Sequence, residues 1–167
     1  MDFTLKPLPH DAIDTALAKV ERYRLLNEPR EAESICLDVL EIDPDHQQAL
    51  IWLLLSLTDQ LGRADDVFER AREIIPRLES EYHRLYYSGI ICERQAKARL
   101  RAGAIGAGAV VYDWLRQAME WYEKAEALRP AGSADPLIRW NACARIIMRY
   151  DHVRPAPDSA GAAVELE

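Results

Sequence analysis

Glycine is scarce in this chain, cysteine scarcer still, and unbroken apolar runs are short; each shortage closes off a class of structure. Seven glycines among 167 residues, and no stretch rich in valine, isoleucine and threonine, leave little material for sheets. Alanine, leucine, glutamate and arginine are plentiful instead, a mixture that favours helix over strand. The three cysteines, Cys36, Cys92 and Cys143, are widely spaced, odd in number, and each set in a helical apolar pattern. They make no disulfide framework and show no C-x-x-C spacing for metal or redox work. They read as small buried hydrophobes in a reducing compartment. The most apolar stretch, 49–57, has nine residues and is too short to cross a bilayer. The first ten residues carry charges and two prolines around no apolar centre, so they do not read as a signal peptide. The expectation is a cytoplasmic protein with no membrane insertion.

What is present describes one helical domain. Hydrophobic residues make up 49% and charged residues 29%, enough to bury a core without bias toward disorder. The formal charge is −7 and the sequence pI about 5.2, a balance that repels phosphate backbones and argues against a nucleic-acid partner. The basic group Arg94, Lys97, Arg99 and Arg101 reads as a solvated helix face.

Apolar spacings of three and four recur almost throughout. A first helix with Asp11 as its N-cap carries Ile13, Ala16, Leu17, Val20 and Leu25 and ends near Asn27. Pro29 suits the first turn of a second helix carrying Ala32, Ile35, Cys36, Val39 and Leu40. Asp43-Pro44-Asp45 stops it and can cap a third over about 46–61, with Gly62 just past the end. A fourth covers 64–75, where Pro76 breaks or bends it. A long amphipathic segment at 78–102, a glycine-rich interruption at 103–108, a helix over 110–128 and a last helix over 133–150 complete the pattern. Residues 1–10 read as an N-terminal extension, 11–150 as the helical domain and 151–167 as a mobile tail.

Within this series three segments align: E-A-E-S-I-C-L-D-V-L-E-I-D-P at 31–44, D-V-F-E-R-A-R-E-I-I-P at 66–76 and Q-A-M-E-W-Y-E-K-A-E-A-L-R-P at 117–130. Ala32, Val67 and Ala118 correspond, as do Cys36, Ala71 and Tyr122, and Val39, Ile74 and Ala125. The step from Ala32 to Val67 is 35 residues, close to the tetratricopeptide period of about 34. The step from Val67 to Ala118 is 51 residues, one period plus roughly 17 more. These segments resemble the second-helix signature of tetratricopeptide repeats, with Gly89 at that family's small-residue position where two helices approach closely. First-helix signatures are weaker, since Leu50, Leu53, Leu54 and Leu57 stand where Trp and Tyr are characteristic. The resemblance covers about 12–150. It implies an all-α, right-handed α-solenoid of about three antiparallel helix pairs plus a C-terminal capping helix, whose Leu137, Trp140, Ala144, Ile147 and Met148 cover the stack's end.

The departure lies in the third pair, an elongated hairpin at about 78–129. Its glycine loop 103–108 and the apolar residues Ile105, Val110, Val111 and Trp114 either project as a contact surface or fold onto the domain's own core. A phosphate-cradle reading of the glycines is set aside, because no strand precedes Gly103 and the P-loop Lys-Ser/Thr pair is missing.

No residue set suggests catalysis. His10, His46, His83 and His152 are scattered, and Asp43, Asp45, Asp65 and Asp66 fall at helix starts, where carboxylates offset the dipole. No cofactor or metal is called for, and the expectation is a binding module rather than an enzyme. Carried over from the family, the concave side of the first helices implies a groove of Leu17, Glu21 and Arg24; Gln48, Ile51, Leu55 and Asp59; Tyr86, Ile90 and Arg94; and Asn141 with Arg145. Such a mixture suits a protein or peptide partner. Leu17 and Glu21 replace the Lys and Asn used by family members that clamp chaperone tails, which argues against that subtype. The expected function is an adaptor or scaffold working through the groove, the hairpin or both; the alternative is a self-assembling homo-oligomer packed through the apolar hairpin.

Overall fold

In a computed structural model that describes residues 3–63 and 66–156, the chain is all-helical, with no β-strand among the described residues. Seven α-helices follow one another: α1 (Ile13–Leu25), α2 (Pro29–Ile42), α3 (Gln47–Thr58), α4 (Val67–Ile74), α5 (Glu81–Ala102), α6 (Gly108–Ala127) and α7 (Asp135–Arg149). Each packs chiefly on its neighbours along the chain. No described helix is long and apolar enough to cross a membrane.

Local chemistry sets the joints. α1 ends at Asn27, whose φ of 60° is left-handed, a conformation asparagine tolerates. The Asn27 N–H then donates to Arg24 O at 3.0 Å and the Glu28 N–H to Tyr23 O at 2.9 Å, the paired closure of a Schellman motif. Pro29 opens α2 directly afterwards. His46, not Asp45, caps α3: its Nδ1 accepts from the Ala49 N–H at 3.2 Å. Asp11 makes no cap either, because the chain enters α1 through a 3-10 turn at His10–Ala12. Pro76 sits in a second 3-10 turn, Ile75–Arg77, and Ser80 caps α5 by accepting from the His83 N–H at 3.3 Å. Gly103, with φ 64°, closes α5.

Two apolar cores result. The first gathers buried side chains of α1 to α4, including Val20, Cys36, Leu50, Leu54 and Ala71. The second joins α5, α6 and α7 through Ile90, Ala96, Val111, Leu115, Tyr122 and Cys143. Leu55 and Tyr87 touch both, so the two halves form one continuous interior. All three cysteines are buried and unpaired. Burial pushes the thiols of Cys36 and Cys143 up to about 12 and that of Cys92 up to about 11.

The long hairpin folds back on the molecule. Val111 and Leu115 are buried, and the half-buried Trp114 ring meets Phe68 of α4 edge-on at 5.3 Å. Beyond α7 the chain does not leave the domain at residue 151. Over 151–156 it crosses the start of α6, burying Val153 in the second core and laying the His152 carbonyl against Gly108. The rest of the expected tail, 157–167, lies outside the described residues. On α7 the inward side chains are Pro136, Trp140, Cys143, Ile146 and Ile147, whereas Leu137 and Met148, expected to face inward, are exposed.

Candidate functional site

A pocket of about 780 Å³ has walls from α1, α3, α5 and α7, with Pro29 of α2 at its edge. It opens where α1, α3 and α5 end, which places the negative ends of three helix dipoles beside it. Basic side chains answer that field. Arg94 of α5 donates to Leu55 O at 3.2 Å and to Thr58 Oγ1 at 2.8 Å, and it also binds Asp59 Oδ1. Arg24 of α1 donates to the other carboxylate oxygen, Asp59 Oδ2, at 2.6 Å. One aspartate on α3 therefore ties α1 to α5. Burial pulls the Arg94 guanidinium below its usual range, and the Asp59 carboxylate opposes that pull.

A second shared carboxylate lies one residue before Arg94. Glu93 is fully buried, and a lone buried charge would be costly. Three donors converge on it: the Tyr122 hydroxyl at 2.6 Å on Oε2, and Lys97 with Arg139 (3.3 Å) on Oε1. Arg139 brings α7 into the network. Burial opposes its charge, yet Glu93 beside it holds the guanidinium above its usual range. Burial first, then the same carboxylate, push the Tyr122 phenol far up, so it stays a proton donor.

Of the residues expected in a groove, Glu21, Arg24, Asp59 and Arg94 line this pocket. Leu17, Ile51 and Ile90 are buried in the cores and present no surface. Gln48 is exposed elsewhere, and Leu55 contributes its carbonyl and packs between the cores. Tyr86 is half-buried against Tyr82 and Tyr122, with ring centroids 5.7 and 5.9 Å away. Asn141 and Arg145 sit on the outer side of α7, and Arg139 takes the inner place. The miss is one of register: two residues along a helix turn a side chain by about 200°. The basic group on α5 also divides. Arg94, Lys97 and Arg101 face the pocket, and Arg99 borders the glycine loop. The i,i+4 spacing of Glu93 and Lys97 was the readable signal; their convergence with Tyr122 and Arg139 needs the fold.

Among the hairpin residues, Ile105 is wholly exposed and Val110 largely so, but Val111 is core and Trp114 is half-covered. Trp114, Trp121, Phe68 and Arg72 border a second cavity of about 400 Å³, with Cys92 and Gln117 in its lining. Among the described residues no three His, Cys, Asp or Glu side chains gather as metal ligands.

Fold and site together define an all-helical protein with a charged, four-helix concave pocket. Compared with family models, curated proteins and solved structures, the chain matches none.

Proposed function

We propose that this chain is a tetratricopeptide-type adaptor, a cytoplasmic protein-binding module rather than an enzyme, which holds a peptide or partner domain in the pocket crossed by α1, α3, α5 and α7. In this reading α1–α2, α3–α4 and α5–α6 are three antiparallel pairs of a right-handed solenoid and α7 closes it. One observation carries the proposal: residues of α1, α3, α5 and α7 line a single pocket, completed by Pro29 of α2 and the chain after α3, as the first helices of successive stacked pairs share one concave side. Its volume is within the ~300–1,000 Å³ of ordinary binding clefts, and its mixed lining suits a peptide. Three buried, unpaired thiols agree with a reducing compartment.

The test is differential capture from native lysate with three baits: wild type, Arg63→Glu with Arg101→Glu at the pocket rim, and Ile105→Asp at the hairpin tip. Partners retained by wild type and Ile105→Asp but lost from the rim variant support the pocket. The reverse pattern transfers the function to the hairpin.

Self-assembly keeps one specific support, on a different surface from the hairpin. Leu137, Ile138 and Met148, the last 73% exposed, lie on the outer side of α7. Light scattering should then show a dimer that Ile138→Glu converts to monomer; a wild-type monomer at tens of micromolar ends that reading.

A further inference from the structure

The pocket is cationic within an acidic molecule. Among the described residues its lining carries Arg24, Arg63, Arg94, Lys97, Arg101 and Arg139 against Glu21, Asp59 and Glu93, an excess of three positive charges in a chain of formal charge −7. Part of that excess answers the fold itself. The C-termini of α1, α3 and α5 border it and the N-terminus of α2 offsets one of them; each end carries roughly half a charge, and Arg94 is hydrogen-bonded to the α3 end. About two positive charges are still uncompensated after that subtraction. Each internal carboxylate is already shared, Asp59 between two arginines and Glu93 between Lys97 and Arg139, so neither can neutralise a further cation. Arg101, on the rim, has no ion-pair partner among the described residues and is exposed. The donors are also pre-positioned: the Arg24 and Arg94 side chains are only 16% and 21% exposed, and their contacts already fix them.

Resting on the reading of this pocket as the binding site, we infer that its occupant is a short acidic peptide segment, whose carboxylates face Arg63 and Arg101 at the rim with Lys97 and Arg139 behind them. Guanidinium groups pair with carboxylates in fork geometry, which gives direction as well as attraction. A long polyanion is disfavoured by the same arithmetic: phosphates beyond the pocket would meet the acidic exterior, whereas a segment of a few residues stays inside the positive field. The cations come from positions other than Leu17 and Glu21, so the recognition is built largely on the second half of α5 and on α7.

The experiment uses the full chain and a phage-displayed library of random peptides. Selected peptides carrying a fluorophore are measured by anisotropy, and photo-reactive versions are mapped by cross-linking and mass spectrometry. The expected result is enrichment of Asp and Glu, cross-links to pocket-lining residues, and affinity that falls at least tenfold in Arg63→Glu with Arg101→Glu. Affinity should also fall steeply as salt rises. The variant's circular dichroism and urea midpoint are checked against wild type, and Arg63→Lys with Arg101→Lys should restore most of the affinity. Neutral or basic peptides that cross-link to the pocket would overturn the acidic occupant while leaving the pocket as the site. Cross-links confined to other surfaces, or a library that yields no binder, would overturn both. Tighter pocket binding by a labelled single-stranded oligonucleotide than by any selected peptide would also overturn the acidic-peptide assignment.

Discussion

Glu93 and Tyr122 form the most demanding contact in the molecule, because a fully buried carboxylate depends on every donor it has. Truncation by Glu93→Ala leaves a buried phenol without its acceptor and draws Lys97 and Arg139 apart. The expected loss is about 3 kcal/mol, read from urea unfolding at neutral pH. Tyr122→Phe removes one donor and leaves two cations on the carboxylate, so it should cost less, about 1–2 kcal/mol. An equal or inverted order would mean that Lys97 and Arg139 contribute little to holding the charge. Gly89 makes a second residue-scale case. A Cβ there would lie 2.5 Å from the Tyr122 ring. Alanine gains about 1 kcal/mol of helix propensity, but displacing a fully buried ring costs about 1–3 kcal/mol. Gly89→Ala should therefore destabilise despite its better propensity, and the urea midpoint gives the sign directly. The close approach expected at Gly89 is legible in sequence; the Tyr122 side chain that enforces it is not.

Among the elements, α6 behaves as two joined pieces. Its second half carries the repeat-like apolar positions Ala118, Tyr122 and Ala125, and its first half, from Gly108, supplies Val111 and Leu115 to the same core. Gly108 is small for a reason outside the helix: a Cβ would overlap the His152 carbonyl, so the chain after α7 lies directly on the helix start. Gly108→Ala should lift residues 151–156 and withdraw Val153 from the core. A broad-specificity protease should then cut within 151–154 faster than in wild type, with a stability loss of about 1–3 kcal/mol. Unchanged cleavage would show that the strand of chain is held elsewhere. Several element boundaries were readable, because Pro29, Gly62 and Gly103 punctuate the pattern at or near observed ends, whereas the Ser80 cap of α5 was not read. The 151–156 segment was not. It has no periodicity, and one valine gives no local sign of a distant partner.

For the whole molecule, three buried thiols predict an alkaline limit. Well below the ordinary thiol pKa of about 8.5 they are protonated in both folded and unfolded chains and contribute no pH dependence. Above it the unfolded chain releases protons that the folded chain retains up to about 11 for Cys92 and about 12 for Cys36 and Cys143, so unfolding is favoured as pH rises. Each thiol then costs up to about 1.4 kcal/mol per pH unit. The urea midpoint should begin to fall near pH 8 and drop most steeply between about 9 and 10, before most tyrosines titrate. Cys143→Ala should reduce that slope by about a third. A flat profile to pH 10 would mean that the thiols are more accessible than their burial implies.

The helical class and many of the helix-end signals follow from the sequence by itself, since caps, prolines, glycines and apolar period are local properties. Of the residues read as a groove, Glu21, Arg24, Asp59 and Arg94 line the pocket, which Arg139, Glu93, Lys97 and Arg101 also line without having been read as part of it. The difference is physical. Which helix face turns inward depends on angles between helices, and an error of one residue rotates a side chain by about 100°. The tertiary structure alone decided that α7 presents Arg139 rather than Asn141 and Arg145, that Val111 is core, and that one pocket gathers the cations of a net acidic chain. Those outcomes depend on long-range convergence, to which no single segment of the sequence is sensitive.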